Sequence, residues 1–329
     1  VPSAMRFLTL ATSICLCFLA LGACAPALAQ TWPERPVRLV VPYPPGGPVD
    51  FIARTIQPRL QAVWGQAVVV DNIGGGSGMI GSASVARAKP DGHSLLLAGI
   101  QTHAMNAGVI RQMPYHPLQD FTPITQITRV NWLLVANPAL GVSTPAELVA
   151  AVRAKPDGYT YASSGNGSAA HLTFAMLLSE LGLKTVHVPY KGSAQAIQDV
   201  IGGQVQLGMA DTQLLLPHIK SGKLVPIAMT GSTRSPALPE VPTLAETIAP
   251  GFEMQPWQAI YGPPGMEPAL AQRVADGFAK ALADPATSAR LHAANIDIAT
   301  TSPAAFRAFS RTEFERWTRV AREAGISPE

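Results

Sequence analysis

The sequence predicts an α/β fold in two lobes, and three observations carry that prediction. Apolar, strand-like runs alternate with segments of helical period, the order that builds a largely parallel sheet flanked by helices. Four strand ends pass into loops of Gly, Ser and Pro that open helices: "PPGGPVD" (44–50), "GGGSGMIG" (74–81), "SSGNGSAAH" (163–171) and "KGSAQ" (191–195). Two phrases occur twice, "AKPDGHSLLLA" (88–98) beside "AKPDGYTYASS" (154–164), and "VPYPPGG" (41–47) beside "VPYKGS" (188–193). Such echoes are expected if two lobes use the same strand–loop–helix device.

The elements follow in order. "PVRLVVPY" (36–43) reads as a buried strand, and "PPGG" (44–47) turns the chain. Pro48 stands at a first helical position, where its missing N–H costs nothing. Val49, Ile52, Ala53, Ile56, Leu60 and Val63 then keep helical spacing. "QAVVVDN" (66–72) is the next strand, followed by the glycine loop, a short helix to about Ala88, the turn "KPDG" and the strand "HSLLLAG" (93–99). In the second half a helix is expected at 194–201, a strand at 205–211, a helix at 212–222 and a strand at 224–230. The proline-rich stretch 234–257 reads as an ordered surface loop, and helical spacing resumes at 267–284 and 303–324.

The first 29 residues read as a secretory leader: Arg6 in the charged part, an apolar run at 7–21 and "ALA" (27–29) before the cut. That run is short for a membrane span, which needs about 20 apolar residues. "LGAC" (21–24) offers the alternative of a lipid anchor at Cys24. All three cysteines lie in this segment, so cleavage after Ala29 leaves a chain with no disulfide, thiolate metal site or cysteine nucleophile. Net charge is +3 and charged residues make up 14% of the chain, without a basic run; nucleic acid, which needs a concentrated basic footprint, is excluded as a partner.

Gly76, Gly78 and Gly81 fit G-x-G-x-x-G, the dinucleotide fingerprint. The acidic residue that should follow about 20 positions on is missing, because the chain there reads "LLAGI". NAD is therefore rejected and no cofactor is expected. A helix N-terminus still favours anions, through unpaired N–H groups and the helix dipole. Loops of this kind gather at the carboxyl ends of the strands. Two such sets facing each other would hold a small carboxylate without an arginine.

These same segments carry a resemblance. "WPERPVRLVVPYPPGGPVDFIAR" (32–54), "VVDNIGGGSGMIGSASVARAKPDGHSLLLA" (69–98), "YASSGNGSAAHL" (161–172), "VHVPYKGSAQAIQDVIGGQV" (186–205) and "LPHIKSGKLVPIAMTGSTRSPALPEVPTLAE" (216–246) closely resemble the substrate-binding proteins of tripartite tricarboxylate transporters, often called Bug proteins. The resemblance runs from about Trp32 to near the C-terminus. It departs at the second loop, where Ile73 and Gly74 replace the Arg-Pro usual in relatives. It implies a two-lobed periplasmic-binding-protein (Venus-flytrap) fold, with two mostly parallel sheets flanked by helices and a hinge crossed twice. It implies a periplasmic, monomeric receptor that closes on a small carboxylate and delivers it to membrane permease subunits. The family typically holds its ligand with backbone amides, hydroxyls and water.

On that frame the first lobe is expected at 30–127 plus 226–300 and the second at 128–225, with crossings near 126–130 and 223–227. The last segment, 301–329, packs back across both. Candidate ligand-binding residues are Tyr43, Gly46 and Gly47 on the first loop, and Gly76, Ser77 and Gly78 on the second. Thr102, His103 and Asn106 follow the strand 93–99, and Ser163, Ser164, Gly165, Gly167 and Ser168 make the third loop. Tyr190, Lys191 and Gly192 make the fourth; Trp257 could stack over the pocket, and Asp211 could meet an amine or hydroxyl of the ligand or a hinge N–H. Asp50 is expected to cap its own helix and His171 to pack behind its loop. A hydrolase built from Ser164, His171 and Asp211 is the remote alternative, since "YASSGNGS" is not a G-x-S-x-G elbow. The scattered histidines show no metal-ligand spacing. A sensor that presents its liganded form to a membrane kinase is the nearer alternative.

Overall fold

The computed structural model describes residues 32–326. The expected leader (1–29), the Cys24 box and the extreme C-terminus lie outside the described residues.

β1 (Val37–Val41) is Val-rich, as suits a strand covered on both faces; Val37, Leu39, Val40 and Val41 are buried. After the Pro-Gly turn, α1 (Pro48–Trp64) starts on Pro48 and ends at Gly65 in the left-handed conformation. β2 (Val68–Asn72) and β3 (Ser94–Gly99) pair in parallel with the two sides of β1. α2 (Met79–Ala86) lies between them in sequence. A π-helical turn, Gln101–Met105, and α3 (Asn106–Val109) follow β3.

Two strands with weak sequence signals come next. β4 (Thr122–Val130) joins the first sheet and β5 (Trp132–Ala136) the second. The second half then runs α4 (Pro145–Ala154), β6 (Thr160–Ser163), α5 (Ala169–Leu181), β7 (Val186–Pro189), α6 (Ser193–Ile201), β8 (Leu207–Asp211), α7 (Thr212–Lys220) and β9 (Val225–Met229). A long return contains α8 (Leu244–Thr247). The chain closes with β10 (Trp257–Gly262), α9 (Pro268–Leu282), α10 (Pro285–Ala293), β11 (Ile296–Ile298) and α11 (Pro303–Glu323).

The first sheet has the order β11-β4-β10-β3-β1-β2 and the second β7-β6-β8-β5-β9. Both are mixed. β2, β1 and β3 are mutually parallel, as are β7, β6 and β8, and these are the strands joined by the strand–loop–helix units. β10, β4, β11, β5 and β9 pair antiparallel. The second sheet takes in Val225–Met229, so sheet membership changes one strand beyond the expected boundary at 225. The stretch 234–257 is ordered but not a surface loop: Leu244, Phe252 and Met254 bring it into the core. α11 packs against the π turn, α3, β4 and α5.

The chain passes between the sheets through a single residue, Asn131, which is buried. Its carbonyl accepts the Thr212 N–H (3.1 Å) and the Thr212 hydroxyl (2.8 Å). Its side-chain amide donates to Asp297 Oδ2 at 2.9 Å, and its Oδ1 accepts from Gln255 Nε2 at 2.6 Å. The return crossing runs alongside: the Val130 N–H reaches the Pro256 carbonyl at 2.8 Å, and Thr230 and Met254 exchange bonds of 2.6 and 2.7 Å. Asn131→Ala strands the Gln255 amide in a buried site. We expect a loss of about 1–3 kcal/mol, read as a lower urea midpoint; an unchanged midpoint would show that water replaces these bonds at no cost.

Candidate functional site

The loops at the strand ends meet around a cavity of about 640 Å³, within the roughly 300–1,000 Å³ of small-molecule sites. Its walls come from both sheets. The first supplies Tyr43 to Gly47 on the β1–α1 loop, Pro48, Val49 and Ile52 at the start of α1, Gln101 on the π turn, Gln258 on β10 and Asn295 before β11. The second supplies Trp132 on β5, Ala169 at the start of α5, and Asp211 and Gln213 at the start of α7. Three helix N-termini, those of α1, α5 and α7, therefore converge here, each a partial positive charge.

Two of these three ends already carry a carboxylate. Asp50, buried in the first turn of α1, accepts from the Gly46 N–H at 2.8 Å and from Arg54 Nε at 2.9 Å. Burial works against its charge, but the bonds from Arg54, Gly46 and Asn72 outweigh it and hold the carboxyl below its ordinary range. It thus ties the loop ahead of the helix rather than capping the helix itself, whose N-cap is Gly47. Asp211 stands at the N-cap of α7 without making a capping bond; its Oδ1 accepts from the Trp132 indole N–H at 2.5 Å. Burial raises its pKa, and the Trp132 bond offsets part of that rise. The first turn of α5 has no acid. Its N-cap, Ser168, accepts from the His171 N–H.

A second hollow of about 320 Å³ adjoins the first, with Gln101 in both walls. Ser77, Asn106, Ser164, Gly167 and Ser168 line it. Asn106 is fully buried and organises this side: its amide donates to the Ser77 carbonyl at 3.1 Å and its Oδ1 accepts from Gln101 Nε2 at 2.7 Å. Gly78 sits at φ +85°, and a Cβ there would come within 2.6 Å of Thr102 Cγ2. Gly81 would collide with the Ile73 carbonyl at 2.6 Å. These fingerprint glycines serve close packing of loop, strand and helix.

Of the sequence candidates, Tyr43, Gly46, Gly47 and Asp211 thus line the main cavity, and Ser77, Asn106, Ser164, Gly167 and Ser168 the adjoining one. The structure places others elsewhere. Thr102 and His103, within the π turn, are fully buried; the His103 ring stacks on Tyr261 at 3.8 Å, and its Nδ1 lies 2.9 Å from Thr102 Oγ1. Trp257 points away, donating its indole N–H to Glu313 Oε2 on α11 at 2.9 Å. Its neighbour Gln258 faces the cavity, because successive strand residues alternate faces. Tyr190, Lys191 and Gly192 follow β7, an edge strand, and line neither cavity; the Tyr190 hydroxyl donates to Asp199 Oδ2 at 2.7 Å. Gly76 and Gly165 shape their loops at positive φ without lining either cavity. Trp132, Gln101, Gln213, Gln258 and Asn295 escaped the sequence reading, since they come from two strands, a π turn, a helix start and a turn that carry no glycine signature.

Ser163 lies under the third loop instead of in a wall. Its hydroxyl meets His187 Nε2 at 2.6 Å, and the His187 ring stacks on His171 at 3.8 Å. His171 Nδ1 in turn accepts the Gly167 N–H at 3.1 Å, so this histidine does pack behind its loop. Among the described residues no group of three or more His, Cys, Asp or Glu side chains could hold a metal ion.

Residues 52–326 match the sequence profile of the tripartite tricarboxylate transporter family receptor. Protein BugT of Bordetella pertussis is 35% identical over 305 residues, covering 92% of this chain and 94% of its own. The solved structure of the periplasmic binding protein BugD is 32% identical with a TM-score of 0.74, covering 91% of this chain and all of its own (100%). A protein of R. palustris solved with adipate is 34% identical with a TM-score of 0.77, with the same coverage of 91% and 100%.

Burial, then the charge of His171, lowers the pKa of His187 from 6.5 to about 4. The unfolded chain takes up this proton near pH 6.5 and the folded chain only near pH 4. Between those values the unfolded state binds more protons, so stability falls as pH drops through that window. His171, lowered by burial, acts with the same sign. We expect the melting temperature to decline from about pH 6.5 to about pH 4, with a shallower decline in His187→Gln. Equal slopes in the two proteins would remove His187 as a cause.

Proposed function

Since the chain belongs to the tripartite tricarboxylate transporter receptor family, we propose that it captures a small carboxylate outside the cytoplasm and delivers it to the membrane permease of such a transporter. One observation carries the reading: a cavity walled by both sheets, at which three helix N-termini converge, without a single basic side chain among the described residues that line it. Backbone N–H groups and helix dipoles can bind a carboxylate in that setting, and the end of α5, free of an acid in its first turn, is the one best placed to take it. The R. palustris relative solved with adipate supports a carboxylate ligand. No helix among the described residues is long and apolar enough to cross a membrane, which agrees with a receptor that hands its cargo to separate membrane subunits.

The two lobes are the first sheet with its helices and the second with its own, joined at Asn131 and along the return from Thr230 to Pro256. Closing one on the other about these crossings would bring α5 and α7 toward α1 and enclose the ligand, a hinge motion of the kind common in such receptors. The glycine loops bind no dinucleotide on this reading.

A thermal-shift panel of small carboxylates and NAD, on protein unfolded and refolded to strip carried-over ligand, tests this. A ligand at about a hundredfold its Kd stabilises by about 2.7 kcal/mol, a visible rise in melting temperature. We expect a carboxylate to give such a rise and NAD to give none, and Ser164→Ala to weaken the carboxylate by about tenfold. A panel in which only NAD or uncharged solutes stabilise the protein would overturn the reading.

A further inference from the structure

The charge content of the main cavity goes further than the presence of a carboxylate site. Asp211 is the only charged side chain among the described residues that line it. Gln101, Gln213, Gln258 and Asn295 add neutral polar groups, and much of the remaining wall is apolar, including Val49, Ile52, Ile100, Val130, Trp132 and Ile296. Trp132 and Asp211 are fastened together by the indole N–H bond, so the carboxylate is held at the wall by a rigid aromatic plate. An ionised carboxylate is an acceptor only. Gln258 adds an amide to the wall, but its Oε1 is enclosed and has no hydrogen-bond partner among the described residues.

We infer that this cavity selects acids with one carboxylate, an apolar body and a far end that is cationic or an uncharged hydrogen-bond donor, with Asp211 turning away a second carboxylate. The inference rests on the receptor reading above and narrows it. One carboxylate of the ligand takes the acid-free N-terminus of α5. The body lies over Trp132 and the Ile and Val side chains, where burial of apolar surface favours it. The far end then meets Asp211. A dicarboxylate would place its second anion near the Asp211 carboxylate with no Arg, Lys or His in the lining to receive it, and like-charge juxtaposition is the device by which sites reject a close analogue.

The test is calorimetric titration of the purified protein with three acids of matched chain length: hexanoate, 6-aminohexanoate and adipate. Hexanoate and 6-aminohexanoate should bind at least about tenfold tighter than adipate. Asp211→Asn keeps an acceptor for the Trp132 indole and removes the charge. In that variant adipate should gain and 6-aminohexanoate should lose, so that the three affinities draw together. Tightest binding of adipate by the wild type, or unchanged ratios in Asp211→Asn, would overturn the inference while leaving a carboxylate receptor in place. Failure of all three acids to bind would count against the receptor reading and this inference together.

Discussion

Everything in this molecule depends on how little chain separates the two sheets. β4 ends at Val130 and β5 begins at Trp132, so one residue carries the backbone from one hydrogen-bonded layer to the other. A buried peptide in that position must satisfy its polar groups without a ladder. Asn131 does so by bonding to three segments distant in sequence: Thr212, Gln255 and Asp297. The crossing thereby places the head of α7 and the residues before β10 beside it. Trp132, Asp211 and Pro256, all cavity walls, are the immediate chain neighbours of Asn131, Thr212 and Gln255, and Gln258 lies three positions beyond Gln255.

The electrostatics of the cavity follow from backbone rather than side chains. Helix ends supply the positive potential, and the chain spends acids to balance two of them, Asp50 at α1 and Asp211 at α7. These two carboxylates differ in consequence. Asp50 is enclosed by Arg54 and the Gly46 N–H, so its charge is satisfied within the fold. Among the described residues Asp211 has only the Trp132 indole as a side-chain hydrogen-bond partner, and burial raises its pKa. An acid left in that state at a cavity wall is available to a ligand.

The glycine-rich segment 74–81 shows how one pattern can serve another end. Gly78 and Gly81 occupy points where a side chain would strike Thr102 or the Ile73 carbonyl, the same demand for close strand–helix packing that a dinucleotide fold makes. Asn106 then holds the Ser77 carbonyl in place. The sequence lacks the downstream acid that a dinucleotide site would carry. Beneath the third loop, the stacked His171 and His187 play a comparable supporting part for Gly167 and Ser163.

The sequence by itself determined the parallel units and the loops at their ends. Val-rich strands, Pro at a helix start and Gly at a turn are local signals, and β1, α1, β2, β3, β6 and β8 follow from them. It also determined that the first and third loops, with Tyr43, Gly46, Ser164 and Ser168, would face open space. Only the tertiary structure decided the antiparallel strands, because β4, β5 and β10 draw their pairing from partners far along the chain. It alone decided which neighbour faces the cavity: in β10 the alternation of a strand turns Gln258 toward the cavity and Trp257 toward Glu313, a choice that a shift of one residue would reverse. The fourth loop, equal to the others as a string of residues, lost its place because β7 lies at the sheet edge, and position within a sheet is set by long-range pairing that no short stretch of sequence contains.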